Sequence, residues 1–193
     1  ITIRSFVLDI DEVTNEQLVT WLNRQPDLSV DDDGSGTGQR HYVRKNGLLL
    51  ADLLVPHSGV IYKNPGYATR SGEEAKPAVQ VTYLAAQLYC EHQQKRLPTE
   101  NEWELAARGP DLQRSYPWGN EEPTCEGVIF DRRPSGVCES ASQGPATIGS
   151  RAGGRVDRTP DGVFDLGGNV AEWVYSTALS GRSGLSEETV LPQ

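Results

Sequence analysis

The residues best equipped for chemistry in this 193-residue chain are three cysteines, three histidines and an oxygen-rich turn near residue 170. Cys125 and Cys138 share one Gly/Pro-rich loop region, and their oxidation would close a loop of about 14 residues, worth roughly 3 kcal/mol in the chain-entropy model. Such a bridge implies an extracytoplasmic compartment; the alternative is two free thiols in a cytosolic loop. Cys90 falls inside an apolar helical pattern and reads as a buried thiol. His41, His57 and His92 show no metal-ligand spacing and are expected at the surface or in loops. In Gly168-Asn169-Val170-Ala171-Glu172, a side-chain amide, a carboxylate and carbonyls of a glycine-permitted turn can form an oxygen cage suited to calcium. The structural alternative is that Asn169 and Glu172 satisfy buried backbone groups around Trp173.

Other constellations lead nowhere. The run Asp31-Asp32-Asp33-Gly34-Ser35-Gly36 has calcium-like composition but lacks the spaced ligand order and closing Glu of an EF-hand, so it reads as a solvated, mobile loop. Gly34-Ser35-Gly36-Thr37-Gly38 matches a phosphate cradle only in its glycines, since the Lys is missing. No Gly-x-Ser-x-Gly elbow and no paired catalytic carboxylates stand out.

The elements that would position these groups are signalled unevenly. Ile1 to Leu8 alternates as a strand with one slip in period. Thr14 and Gln17 have capping-box spacing, and Leu18, Trp21 and Leu22 follow in helical register, predicting a helix from Thr14 to about Arg24 that Pro26 ends. From Asp27 to Lys76 the signal is poor, apart from Leu48 to Val55, a short strand or buried turn. Pro77 to Val81 is extended, Thr82 caps a second helix, and Leu84, Ala85, Leu88 and Tyr89 make its inward stripe. Thr99 and Glu102 form another capping box on a third helix, with Trp103, Ala106 and Ala107 on its apolar face and Gly109 as its stop. Beyond it the chain is mostly loop until an ordered stretch from Val163 to Tyr175. Three helices, short strands and long loops predict one α+β domain over residues 1–193.

Composition narrows the partners. The net charge of −9 argues against a nucleic-acid backbone. No apolar run approaches the roughly 18 residues of a membrane span. A hydrophobic share of 36% with 20 Gly and 12 Pro suits a loop-heavy fold. The chain starts at Ile1 and contains no Met, which predicts a processed chain or a fragment.

Four segments, in order, resemble the formylglycine-generating-enzyme (sulfatase-modifying-factor) family: Asp11-Glu12-Val13-Thr14-Asn15-Glu16-Gln17; Lys95-Arg96-Leu97-Pro98-Thr99-Glu100 running on to Glu102-Trp103-Glu104; Tyr116-Pro117-Trp118-Gly119-Asn120; and Asp161 through Trp173 with its Gly-Gly-Asn-Val-Ala-Glu-Trp end. The resemblance implies a loop-rich variant of the C-type lectin fold. It also implies calcium ligation by the side chains of Asn169 and Glu172 with the carbonyls of Gly168 and Val170, and structural roles for Thr99, Glu102, Trp103, Trp118 and Trp173. Where the family's second calcium site draws on an Asn-bearing segment, this chain reads Gly127-Val128-Ile129-Phe130.

Catalysis in that family needs a cysteine pair downstream of the Gly-Asn-x-x-Glu-Trp motif, binding copper(I) to oxidise a substrate cysteine. Residues after Trp173 contain no Cys, and the family's N-terminal start is absent too. The leading expectation is therefore a non-catalytic binding or scaffold domain, periplasmic, cell-surface or secreted, with a protein partner. The alternative is a copper-dependent oxidase whose catalytic segment lies beyond this chain. A carbohydrate-binding module is a weaker reading, by fold analogy to lectins alone.

Overall fold

A computed structural model describes residues 2–32, 34, 40–55, 57–110, 112–139, 144–149 and 156–175. The described elements run α1 (Asn15–Leu22), β1 (Leu28–Asp32), β2 (Arg40–Lys45), β3 (Leu48–Asp52), β4 (Val60–Lys63), β5 (Gly66–Thr69), α2 (Tyr83–His92) and α3 (Glu100–Arg108). This is a loop-rich α+β architecture with three helices and short antiparallel strands, as expected. The chain divides into two compact units. One comprises Glu12–Lys95 and Gln143–Ser150; the other comprises Ile1–Asp11, Arg96–Ser142 and Arg151–Gln193.

In the first unit, α1 starts where the sequence says it should. The Thr14 N–H donates to Gln17 Oε1 at 2.9 Å and the Gln17 N–H donates to Thr14 Oγ1 at 3.1 Å, so two otherwise orphan donors are satisfied reciprocally. The helix buries Asn15, Leu18, Trp21 and Leu22 on one face. Those apolar side chains join Val43, Leu50, Ala51, Leu53, Val60 and Ala85 in one core, against which Leu84, Leu88 and Tyr89 of α2 pack partly buried. Trp21 meets Tyr89 edge-on with ring centroids 5.8 Å apart. Thr82 caps α2 through its hydroxyl, which accepts from the Ala85 N–H at 3.2 Å and donates to the Leu49 carbonyl at 3.0 Å, tying the helix to β3.

The segment with the poorest sequence signal holds all five of the described strands. β1, β2 and β3 form an antiparallel sheet in that order, and β4 and β5 form a separate hairpin. The β2–β3 connection is Asn46-Gly47, both at positive φ (51° and 80°), the pair a two-residue hairpin turn favours. The alternation in β2 was hidden because its inward positions are His41 and Val43, flanked by charged residues.

Four expectations are corrected. Residues 2–9 form no strand: Val7 is 97% exposed, and among the described residues no strand pairs with them to give their apolar alternation a face to pack on. His41 is buried, because Asp52 Oδ1 sits 3.0 Å from its Nδ1 and supplies the polar partner that burial requires. His57 and His92 are exposed, as anticipated. Cys90 is half-buried in the last turn of α2, since the inward stripe runs through Ala85 and Tyr89 on another face. In the acidic run, Asp31 and Asp32 belong to β1 and pair with Tyr42 and Arg40 of β2, so this part of the run is drawn into the sheet; residues 33 and 35–39 lie outside the described set.

Candidate functional site

The second unit carries the motif residues. Its frame is α3, which begins with the predicted box: the Thr99 N–H donates to Glu102 Oε2 at 2.8 Å, and the Glu102 N–H donates to Thr99 Oγ1 at 3.2 Å. Sequence reasoning missed that Arg96 grips the same carboxylate with both ends of its guanidinium, each N···O distance being 2.7 Å. The Arg96 hydrogen bonds, aided by the Thr99 N–H, hold the Glu102 pKa down to about 2 against the opposing effect of burial. The same pairing raises that of Arg96. Gly109 ends the helix at φ 81°.

Trp103, projecting from α3, is half-buried, and its indole N–H donates to the Glu172 carboxylate. Glu172 is exposed as a residue, yet its carboxyl group is held against that indole in dense surroundings, and the carboxyl is what titrates. Desolvation pushes its pKa up to about 7; the Trp103 bond opposes the rise, and the carboxylates of Asp157 and Asp165 add to it. Both aspartates are almost fully buried. Asp157 accepts the Gly167 N–H on both oxygens, at 3.2 and 3.0 Å, which anchors the start of the turn. No local pattern announced Asp157, since it precedes the glycine it holds by ten residues.

The glycine pair is required by close approach. A Cβ on Gly167 would stand 2.8 Å from Trp118 Cζ3, and one on Gly168 would stand 2.6 Å from the Ile129 carbonyl oxygen. Asn169 then turns with φ 64° and donates its N–H to that same carbonyl at 2.7 Å. The Val170 N–H donates to the Gly168 carbonyl at 2.8 Å. Trp173 is half-buried. The end of the segment is strapped to the start of α3, where Tyr175 N–H donates to Pro98 O at 2.8 Å and Glu100 N–H donates to Tyr175 O at 3.1 Å.

Two further devices hold the surrounding loops. Tyr116 and Trp118 stack with centroids 4.9 Å apart and planes 2° from parallel, and the Trp118 indole N–H donates to Glu121 O at 3.0 Å. Cys125 and Cys138 form the expected disulfide. Inside its loop, Asp131 accepts the Val137 N–H at 2.8 Å and the Arg133 Nε–H at 2.7 Å, bonds that keep its carboxyl below the usual range.

The structure thus brings together Glu172, Trp103 and the Gly167–Asn169 turn, and adds Asp157 and Asp165 around them. The four donors singled out for calcium are all oxygens, a chemistry that fits a hard cation, and the carboxylate excess is one a cation would offset. One oxygen of Glu172 is engaged by Trp103 and the Gly168 carbonyl by the Val170 N–H, so each would have to share its remaining lone pairs with a cation. Among the described residues, no group of three His, Cys, Asp or Glu side chains stands ready to hold a metal. Copper(I) is a different matter. With Cys125 and Cys138 joined, Cys90 is the remaining thiol of residues 1–193, and a single thiolate does not make the soft pair that copper(I) needs. No helix among the described residues is long and apolar enough to cross a membrane.

Comparison with known proteins agrees with this arrangement. The Sulfatase-modifying factor enzyme 1-like domain model matches residues 1–187. The serine/threonine-protein kinase pkn1 of Chlamydia caviae is 34% identical over 173 residues, covering 90% of this chain and 23% of that protein. The formylglycine-generating enzyme of Mycobacterium tuberculosis is 36% identical over 196 residues, covering 90% of this chain and 64% of that protein. The inactive C-alpha-formylglycine-generating enzyme 2 of Bos taurus is 30% identical over 198 residues, covering 91% of this chain and 61% of that protein. The chain therefore spans under two thirds of each of these relatives. With a family model matched from residue 1 to 187 and the Gly-Asn-x-x-Glu-Trp turn built as described, the chain belongs to the sulfatase-modifying-factor, formylglycine-generating-enzyme-like domain family, with its C-type-lectin-like fold.

Proposed function

We propose that residues 1–193 act as a non-catalytic recognition domain of an exported protein, binding or scaffolding a protein partner. The observation that carries this reading is the state of the cysteines: two are locked in the Cys125–Cys138 bridge, and one thiol is left. The bridge also supports a periplasmic, cell-surface or secreted setting. That a similar bovine protein is named inactive supports the view that the domain can be kept without the reaction. The test is turnover: the chain is incubated with copper(I) and a cysteine-bearing peptide in air, and the peptide is followed by mass spectrometry. No conversion and no stoichiometric copper(I) retention against a chelator are expected. Catalytic conversion by this chain alone would remove the reading.

A second reading is favoured by the similarity to the mycobacterial protein named a formylglycine-generating enzyme: residues 1–193 are the scaffold of a copper-dependent oxidase of protein cysteine whose thiol pair is supplied from outside them. Extending the chain with its genomic C-terminal sequence and repeating the assay separates the two.

Calcium belongs to either reading. Asn169 and Glu172 side chains, with the Gly168 and Val170 carbonyls, would hold it and stiffen the turn that Asp157 anchors. Calcium is expected to raise the melting temperature and a chelator to reverse the rise. Asn169→Ala and Glu172→Gln should each abolish that response. A melting temperature indifferent to calcium in the unaltered chain would end the calcium proposal.

A further inference from the structure

The unit holding α1 and the strands contains a groove that none of the chemistry above uses. It is an open groove of about 440 Å³ beside the end of α1, along β1 and against the β4–β5 hairpin. The groove is built rather than incidental. Asn23, the C-cap of α1, clamps the hairpin with its side-chain amide, donating to Tyr67 O at 3.0 Å and accepting from Tyr67 N–H at 2.9 Å. Gly66 permits that approach, since a Cβ there would lie 2.9 Å from Asn23 Oδ1. Tyr62 and Tyr67, both lining the groove, meet edge-on with centroids 5.5 Å apart and pack against the core, which fixes their rings. Burial pushes the Tyr67 hydroxyl up to about 12, so it stays a protonated donor at any physiological pH. Gln25, Asp27, Ser29 and Asp31 supply further polar groups to the lining. Asp27 and Ser29 are exposed, and Asp27 is held at φ 61°.

The lining selects by chemistry. None of the lining residues is Lys or Arg. The neighbouring Arg44 is engaged by Asp31 at 3.2 Å and Lys45 Nζ by Gln25 Oε1 at 3.5 Å, so phosphorylated, sulfated or carboxylated ligands meet Asp27 and only cations that already have partners. Its polar side chains leave an apolar ligand little to gain. Strand addition by a peptide is discouraged as well: β1 is five residues long, ends in two acids and has a register break between Asp31 and Asp32, all features that protect a sheet edge. What remains is a small neutral molecule dense in hydroxyls with one apolar face. A sugar ring meets that description: its C–H face suits a tyrosine ring, and its hydroxyls suit carboxylate and amide groups.

We propose that this groove binds a short uncharged saccharide, its ring against the Tyr62–Tyr67 pair and its hydroxyls on Asp27, Ser29 and Gln25. The inference rests on the reading of the chain as a recognition domain. Because the groove's own side chains make the contacts, binding requires no calcium.

The test is saturation-transfer NMR and calorimetry on the whole chain, with neutral cello-, chito-, malto- and xylo-oligosaccharides and one sulfated oligosaccharide, with and without a chelator. Saturation transfer to at least one neutral member, unchanged by chelator and absent for the sulfated probe, is expected. Asp27→Ala should weaken it tenfold or more and Ser29→Trp should eliminate it. Both positions are exposed, and circular dichroism checks that each variant folds. Silence towards every neutral probe at millimolar concentration overturns the proposal. So does binding that both variants leave intact, binding that needs calcium, or a basic peptide that binds and is displaced by Ser29→Trp where the sugars do not bind. Any of these failures leaves the non-catalytic reading standing, since copper-dependent turnover tests that separately.

Discussion

Reduction and alkylation of Cys125 and Cys138 should lower the stability of the unit containing them by about 3 kcal/mol, the figure for a loop of this length in the chain-entropy model. The same loss is expected in a Cys125→Ala/Cys138→Ala double variant. The bridge closes a loop with no helix or strand, whose other internal ties are turn hydrogen bonds such as Gly136 N–H to Arg133 O and the contacts of Asp131 to Val137 and Arg133. Opening it returns conformational freedom to the unfolded chain, and the contacts around Val128 and Ile129 that seat Gly168 and Asn169 lose their outer support. Because the chain has two compact units, a global signal would dilute the effect. Hydrogen exchange of residues 112–139 is the better readout, with protection expected to fall there and to stay unchanged over α1 and β1–β3. Equal protection with and without reductant would mean that the bridge adds nothing in solution. The argument for an oxidising compartment would then fall with it.

Glu102 should show the second large effect. Its carboxylate serves the capping box and the Arg96 fork together, so Glu102→Ala removes a cap worth about 0.5–2 kcal/mol and the charge-assisted pair as well. A total loss of about 2–3 kcal/mol is expected. Glu102→Gln keeps a capping oxygen and loses the charge, for about 1–2 kcal/mol; the guanidinium side chain is 62% exposed, and solvent screening discounts the pair. The two losses part company with pH. The folded-state pKa is depressed from 4.5 to about 2, so the stabilisation is complete above the unfolded value and is lost as pH falls through the folded one. The difference between the unaltered chain and Glu102→Gln should therefore shrink steadily from about pH 5 towards pH 2 in urea titrations, with α3 followed by exchange. A difference that holds constant over that range would show that geometry, and not charge, is what Arg96 recognises.

What could be read from the sequence was local or covalent. Thr14 with Gln17 and Thr99 with Glu102 announce helix starts because a capping box is complete within four residues and needs no distant partner. Cys125 and Cys138 announce their bridge because they stand 13 residues apart in one loop. The family was legible for a related reason: its motifs are contiguous stretches, and the Gly167-Gly168 pair marks a turn that admits no side chain. Asn169 and Glu172 lie in the same contiguous stretch.

The tertiary structure decided everything whose cause lies elsewhere in the chain. β2 reads as a charged segment until Asp52, eleven residues on, gives His41 a reason to be buried. The apolar start of the chain reads as a strand, but among the described residues none pairs with it as one, and Val7 lies in water. Asp157 becomes part of the site by holding Gly167, and Trp103 by reaching a carboxylate 69 residues away. The groove beside the end of α1 has no sequence signature at all, because Asn23 and Tyr67 are 44 residues apart and only their hydrogen bonds make a wall of them. Periodicity reports a residue's own environment when its neighbours in sequence supply that environment; when the supplier is remote, only packing can say what the residue is for.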